Sequence, residues 1–314
     1  MKIVFQYDAS PTLAARLKEL STDGIEITPC SEQDMDRFME LMATADAVFH
    51  VLKPITAEII TASPNLKLIQ KIGVGVNTIE LETARQRGIK VANMPGTNSR
   101  AVAETALLLM LAALRRLPTY DGATRRGEGW GLNSVLFDKI GEIGGRTVGL
   151  VGYGAVAQLL TPMLLALGAH VLYTSRERKN AALAEWCSRE KLLAASDIVS
   201  LHLPLTPETE KLIDADAIRS MKNGAVFINT ARGGLVDEPA LIEALTLGKL
   251  RAAGLDVFAS EPVDPDNPLL SLDNTVVMPH VAWLTPETLE RSLGIALENC
   301  RRIRQGEEIL FRVV

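Results

Sequence analysis

The sequence has little with which to bind a metal or cross-link itself. Its 314 residues include three cysteines, Cys30, Cys187 and Cys300, and four histidines, His50, His170, His202 and His280. These are scattered without ligand spacing, so no metal is expected. An odd, dispersed set of thiols excludes a disulfide framework and suits buried free thiols in a reducing compartment. No G-x-S-x-G elbow is present, which leaves a serine nucleophile unsupported. The longest apolar run, Ala106 to Leu114, is too short to span a bilayer and reads as part of a buried helix. The opening residues, Met1 to Gln6, turn polar too soon for a signal peptide. With a net charge of −5, no overall field attracts nucleic acid or anionic lipid. The arginine pairs Arg115–Arg116 and Arg301–Arg302 read as solvated helix faces. The expectation is a cytoplasmic protein with neither nucleic-acid nor membrane partners.

What is present is an alternation of short apolar runs and helical stretches, the signature of parallel sheets built from βαβ units. Strands are expected at Ile3–Gln6, Ala47–Val51, Leu68–Lys71 and Ile89–Ala92, with a helix at Glu80–Gln86 stopped by Gly88. After the turn-forming Asn93–Gly96, a long helix is expected from Ser99 to Arg116. Six more strands follow, at Thr147–Val151, His170–Thr174, Asp197–Leu203, Ala225–Thr230, Ala252–Val257 and Thr275–Met278. That arithmetic fits a doubly wound dinucleotide-binding domain. The tail, Pro286 to Val314, reads as one amphipathic helix returning to the first domain. The α/β chain therefore divides into residues 1–97 with 286–314, and residues 98–285.

The strand Thr147–Val151 runs into Gly152-Tyr153-Gly154-Ala155-Val156-Ala157, a G-x-G-x-x-A turn that opens a helix. Gly152 permits the tight turn, Gly154 admits a pyrophosphate, and Ala157 lets the helix sit close on the strand. With the helix N-terminus this makes Gly152, Gly154, Ala155 and Val156 candidate cofactor contacts. Alone the triplet is a weak signal; the flanking strand and helix strengthen it. Pro162 falls inside the helix, so a kink or a lost hydrogen bond is expected.

The end of the second strand usually selects the nicotinamide cofactor, and a carboxylate there repels a 2′-phosphate. Here Thr174 leads to Ser175-Arg176-Glu177-Arg178-Lys179, with no acid at the expected place. Ser175, Arg176 and Arg178 can grip a phosphate, which favours NADP over NAD as the cofactor. The alternative is that Ser175 caps the next helix and the cations face water.

Ligands of open parallel sheets bind beyond the carboxyl ends of the strands. His202, Pro204, Thr230, Ala231 and Asp256 fall there as further cofactor contacts, together with Arg232, Glu261 and His280. Singly, each has a plain structural reading. Jointly they make a set: a histidine to carry a proton, a carboxylate to fix its tautomer, and an arginine fork for a substrate carboxylate.

Several blocks resemble the D-isomer-specific 2-hydroxyacid dehydrogenases over nearly the whole chain. They are Gly73-Val74-Gly75-Val76-Asn77, Val102-Ala103-Glu104, the glycine loop, Ser200 to Thr206, Asn229 to Gly234, Leu255 to Phe258, Glu261-Pro262 and Pro279-His280. The resemblance implies a flavodoxin-like substrate domain formed by both chain ends, with a cleft beside a Rossmann cofactor domain. It implies that Arg232 binds substrate, Glu261 supports the histidine and His280 is the acid/base. Backbone amides matching Val74 and Gly75 would hold the substrate carboxylate, with Arg232 and His280 completing the substrate site. It also implies a homodimer joined through the cofactor domains. The Tyr173-Thr174-Ser175-Arg176 segment is similar to that of NADP-using glyoxylate and hydroxypyruvate reductases, whereas formate dehydrogenases carry glutamine in place of Glu261. Other readings stay open: an NAD-dependent enzyme for a different small 2-hydroxy acid, or a cofactor-sensing binding protein like the corepressors that share the fold. Trp283, where many relatives have a small residue, either lines the cleft or packs structurally.

Overall fold

The computed structural model describes residues 1–131, 134–180 and 182–314, which form two compact units. One comprises Met1–Asn98 with Thr285–Val314, the other Ser99–Leu284.

In the first unit, β1 (Lys2–Gln6), β2 (Glu26–Cys30), β3 (Ala47–His50), β4 (Leu68–Lys71) and β5 (Lys90–Ala92) form a parallel sheet ordered β2-β1-β3-β4-β5. This is the flavodoxin-like order. The strand β2 is not among those expected, since its Glu26-Ile27-Thr28-Pro29-Cys30 contains a proline. At the sheet edge Pro29 withholds only a donor that no neighbouring strand needs. The tail is not one helix. The helix Pro286–Gln305 stops at Gly306, which takes a φ of 70° as its C-cap. The remaining residues run back beside β5, where the Val313 amide donates to the Val91 carbonyl at 2.7 Å. Asn299 ties helix and tail together, donating to Gln70 Oε1 and accepting from the Leu310 amide, each at 2.7 Å.

The second unit holds β6 (Thr147–Val151), β7 (His170–Thr174), β8 (Glu185–Trp186), β9 (Ile198–Leu201), β10 (Ala225–Asn229), β11 (Leu250–Leu255) and β12 (Thr275–Val277). Their order is β12-β11-β10-β9-β6-β7-β8, all parallel. Seven strands replace the six expected, because the edge strand β8 is two residues long and shows no periodicity. Counting from β6, this is the doubly wound 3-2-1-4-5-6 order with one strand added, and the order reverses between β6 and β9.

Buried runs such as Val148–Val151 and Ile198–Leu201, apolar but for Ser200, sit at the centre of this sheet because helices cover both of its faces. The helix Ser99–Arg115 buries Ala103, Ala106, Leu109, Met110 and Ala113 against it. The helix Ala155–Ala166 continues through Pro162, which can donate no backbone bond. All three cysteines are free and buried. Among the described residues no helix is long and apolar enough to cross a membrane.

Candidate active site

Because the strands of the second sheet are parallel, the loops after β6, β7, β9, β10, β11 and β12 share one edge. The first is the glycine loop. Gly152 takes a φ of 94°, and a Cβ there would lie 2.4 Å from the His202 carbonyl oxygen. Only glycine permits that approach of two strand ends. Gly154 differs: its φ of −85° suits any residue, and a Cβ would meet no atom within 4 Å. Nothing in the chain requires glycine at 154. The amides of Ala155 and Val156, at the helix N-terminus, find no acceptor among the described residues. Open space before unpaired donors suits an incoming pyrophosphate.

The acid/base candidates lie beyond β11 and β12. His280 Nδ1 is 2.6 Å from Glu261 Oε2, and Glu261 Oε1 accepts from the Phe258 amide at 3.0 Å. Desolvation pushes the Glu261 carboxyl up, but the His280 bond, the Phe258 amide and the field of Arg232 outweigh it and hold the group below its ordinary value. His280 has a φ of 58°, a left-handed conformation uncommon outside glycine. Several bonds hold its loop there. The His280 amide donates to the Asp256 carbonyl at 2.8 Å, and the Trp283 indole donates to the His280 carbonyl at 3.1 Å. The two Asp256 carboxylate oxygens accept from the amides of Val281 and Ala282, at 2.8 and 2.9 Å. Asp256 thus serves the backbone of the histidine loop, a role the sequence did not indicate. Trp283 is buried.

Arg232 follows β10. Asn229, itself buried, braces the turn: its amide donates to the Arg232 carbonyl at 2.9 Å and its oxygen accepts from the Ala231 amide at 3.0 Å. Gly233 lets this turn meet the Glu261 loop, since a Cβ there would lie 1.9 Å from the Phe258 carbonyl. Burial lowers the Arg232 guanidinium's pKa, and Glu261 opposes that shift. One guanidinium nitrogen donates to the Ala231 carbonyl at 2.6 Å. The rest of the fork remains available for a ligand. The neighbouring Thr230 is buried, and its Oγ1 has no hydrogen-bond partner among the described residues.

The other candidates are distributed along the same edge. His202 donates its amide to Val151 at 2.7 Å, and its Nε2 lies 2.9 Å from Ser200 Oγ. Burial pushes its pKa down to about 4, so the ring is neutral at physiological pH. Pro204 is exposed, its carbonyl accepting from Thr209 Oγ1 at 2.8 Å. Beyond β7 no helix starts at Ser175; the next helix, Arg189–Ala195, is capped by Ser188. The Ser175 hydroxyl donates to the Glu177 carbonyl, so its proton is already engaged. Arg176 and Arg178 form no ion pair or hydrogen bond among the described residues. No cluster of three metal-ligating side chains occurs among them either.

In the first unit, Val74 and Gly75 lie in the loop after β4. The carbonyl of Val74 accepts from Asn93 Nδ2 at 2.9 Å. The amides of Val74 and Gly75 find no acceptor among the described residues, so both are free to bind an anion.

Residues 107–282 match the model of the D-isomer specific 2-hydroxyacid dehydrogenase NAD binding domain. The chain is 40% identical to D-3-phosphoglycerate dehydrogenase of Mycobacterium tuberculosis over 91% of its own length, and spans only 54% of that protein. It is 38% identical to the glyoxylate reductase of Korarchaeum cryptofilum, covering 86% of this chain and 82% of that one. Among solved structures, the TT0316 protein from Thermus thermophilus superposes with a TM-score of 0.89, at 36% identity and over 100% of both chains.

Proposed function

Because this chain belongs to the D-isomer-specific 2-hydroxyacid dehydrogenases, we propose that it reduces a small 2-keto acid, glyoxylate or hydroxypyruvate, with NADPH. The observation that carries the reading is the bonded pair His280–Glu261 on the same sheet edge as Arg232 and the open glycine loop. The cofactor, when bound, supplies the hydride that reaches the carbonyl carbon.

Gly154, Ala155 and Val156 would hold the pyrophosphate, and the Thr230 hydroxyl, without a partner among the described residues, would be free to bond to the cofactor. The Arg232 fork takes the substrate carboxylate and polarises the adjoining carbonyl. Glu261 holds the Nδ1 proton of His280, which leaves Nε2 to pass a proton to the developing alkoxide. In the oxidative direction the same Nε2 removes that proton.

The preference for NADPH rests on Arg176 and Arg178, which form no ion pair or hydrogen bond among the described residues, and on a serine rather than an acid directly after β7. Ser175 contributes only if its hydroxyl leaves the Glu177 carbonyl. The glyoxylate reductase of Korarchaeum cryptofilum supports the substrate class. A homodimer joined through the second unit is supported by apolar surface after the helix Leu117–Arg125, where Trp130 is 89% exposed and Phe137 58%.

Initial rates of NADPH and NADH oxidation with glyoxylate and hydroxypyruvate test the reading. Turnover favouring NADPH is expected. A preference for NADH would overturn the cofactor assignment alone, and no turnover on a broad 2-keto acid panel would overturn the activity.

A further inference from the structure

Two tyrosines join the glycine loop to the loop bearing Arg176 and Arg178. Tyr153, between Gly152 and Gly154, stacks on Tyr173 with ring centroids 4.0 Å apart and planes 28° from parallel. Both rings are buried. The Tyr173 hydroxyl then grips the backbone of Lys179, accepting from its amide at 2.9 Å and donating to its carbonyl at 3.4 Å. At the loop's other end, the Trp186 indole donates to the Ser175 carbonyl at 3.5 Å. The segment carrying Arg176 and Arg178 is therefore tied at both ends, and one tie leads to the glycine loop.

We propose that Tyr173 is a positioning residue for cofactor discrimination: its hydroxyl fixes the Arg176–Arg178 loop relative to the glycine loop, aiming the guanidinium groups at a ribose 2′-phosphate. The inference rests on the NADPH reading above. A loop fixed before binding loses less conformational entropy when the phosphate docks, so the clamp raises affinity for the phosphorylated cofactor only. The ring stack sets where the loop lies, and the hydroxyl holds it there.

Tyr173→Phe keeps the ring and removes the clamp. In the cofactor-free protein, hydrogen exchange of the Lys179 amide is expected to accelerate. By calorimetric titration the NADPH Kd should rise about fivefold, the loss of one ordinary hydrogen bond, while the NADH Kd stays within about twofold. Trp186→Phe, at a partly exposed site, releases the other tie and should shift the same ratio even if Tyr173→Phe folds poorly. Unchanged Lys179 exchange, or equal weakening of both cofactors, overturns the inference. Arg176→Ala run in parallel separates the two claims. If it selectively weakens NADPH while Tyr173→Phe does not, the cofactor reading stands and the clamp falls. A wild-type protein that binds NADH more tightly overturns both.

Discussion

His280 Nδ1 and Glu261 Oε2 meet at 2.6 Å although their loops leave different strands, β12 and β11. The contact needs both loops in fixed places. Asp256 holds the histidine loop through the amides of Val281 and Ala282, and Gly233 allows the Arg232 turn to press against Phe258 beside Glu261. The pair thus sits in a prepared frame, with the Nδ1 side of the ring committed to the carboxylate and Nε2 left to react.

His280→Asn is expected to lower kcat roughly a thousandfold, within the range for loss of a general acid. Cofactor Kd should not change, because the glycine loop is untouched. Glu261→Gln keeps an acceptor for Nδ1 but removes the charge, and a smaller loss of roughly 10–100-fold is expected. Steady-state rates with direct cofactor titration check both; an unimpaired His280→Asn enzyme removes His280 from the chemistry.

Arg232→Lys keeps the charge and loses the fork. If Arg232 binds the substrate carboxylate at two points, KM for the keto acid should rise about tenfold or more, and Arg232→Ala should be worse in both KM and kcat. Equal KM values for wild type and Arg232→Lys would show that no two-point contact is made.

The two loop glycines should fail differently. In Gly152→Ala the new methyl lies 2.4 Å from the His202 carbonyl on a backbone at φ 94°, so melting should fall by several degrees. In Gly154→Ala the methyl meets no atom of the chain, so melting should hold while affinity for either nicotinamide cofactor drops at least tenfold. Normal cofactor binding by a stable Gly154→Ala protein would remove the pyrophosphate from this loop.

What could be read from the sequence follows from burial. Thr147–Val151 and His170–Thr174 appear at their observed bounds because central parallel strands carry continuous apolar runs. The edge strands β2 and β8 escape for the same reason, since an edge tolerates Pro29 and needs only two residues at Glu185–Trp186. The helix stop at Gly306 had a readable signal in the glycine itself, whereas the return of Val313 to Val91 depends on a distant partner. The candidate residues could be placed at one edge by their positions after strands. The braces could not: Asp256 to Val281 and Ala282, Asn229 to Ala231, and Tyr173 to Lys179 join side chains to backbone groups whose proximity exists only once the loops are folded.

His202 gives the last prediction, one of stability against pH. Burial lowers its pKa from an ordinary 6.5 to about 4. Between those values the unfolded chain binds a proton that the folded protein refuses, so stability falls as pH drops from 6.5 toward 4 and is fully present above 6.5. Some of the residue's surface remains exposed, so a loss on the order of 2 kcal/mol is expected rather than the full amount implied by the shift. His50, buried beside Lys71 in the first unit, is also pushed well below its ordinary value and acts in the same direction. Wild type and His202→Gln should therefore differ in slope. Denaturant unfolding across this range should show wild type losing more stability than the variant, with carboxylate titration common to both. Parallel curves would mean that His202 accepts its proton in the folded state without penalty, and the buried neutral ring beside Ser200 would be the wrong description.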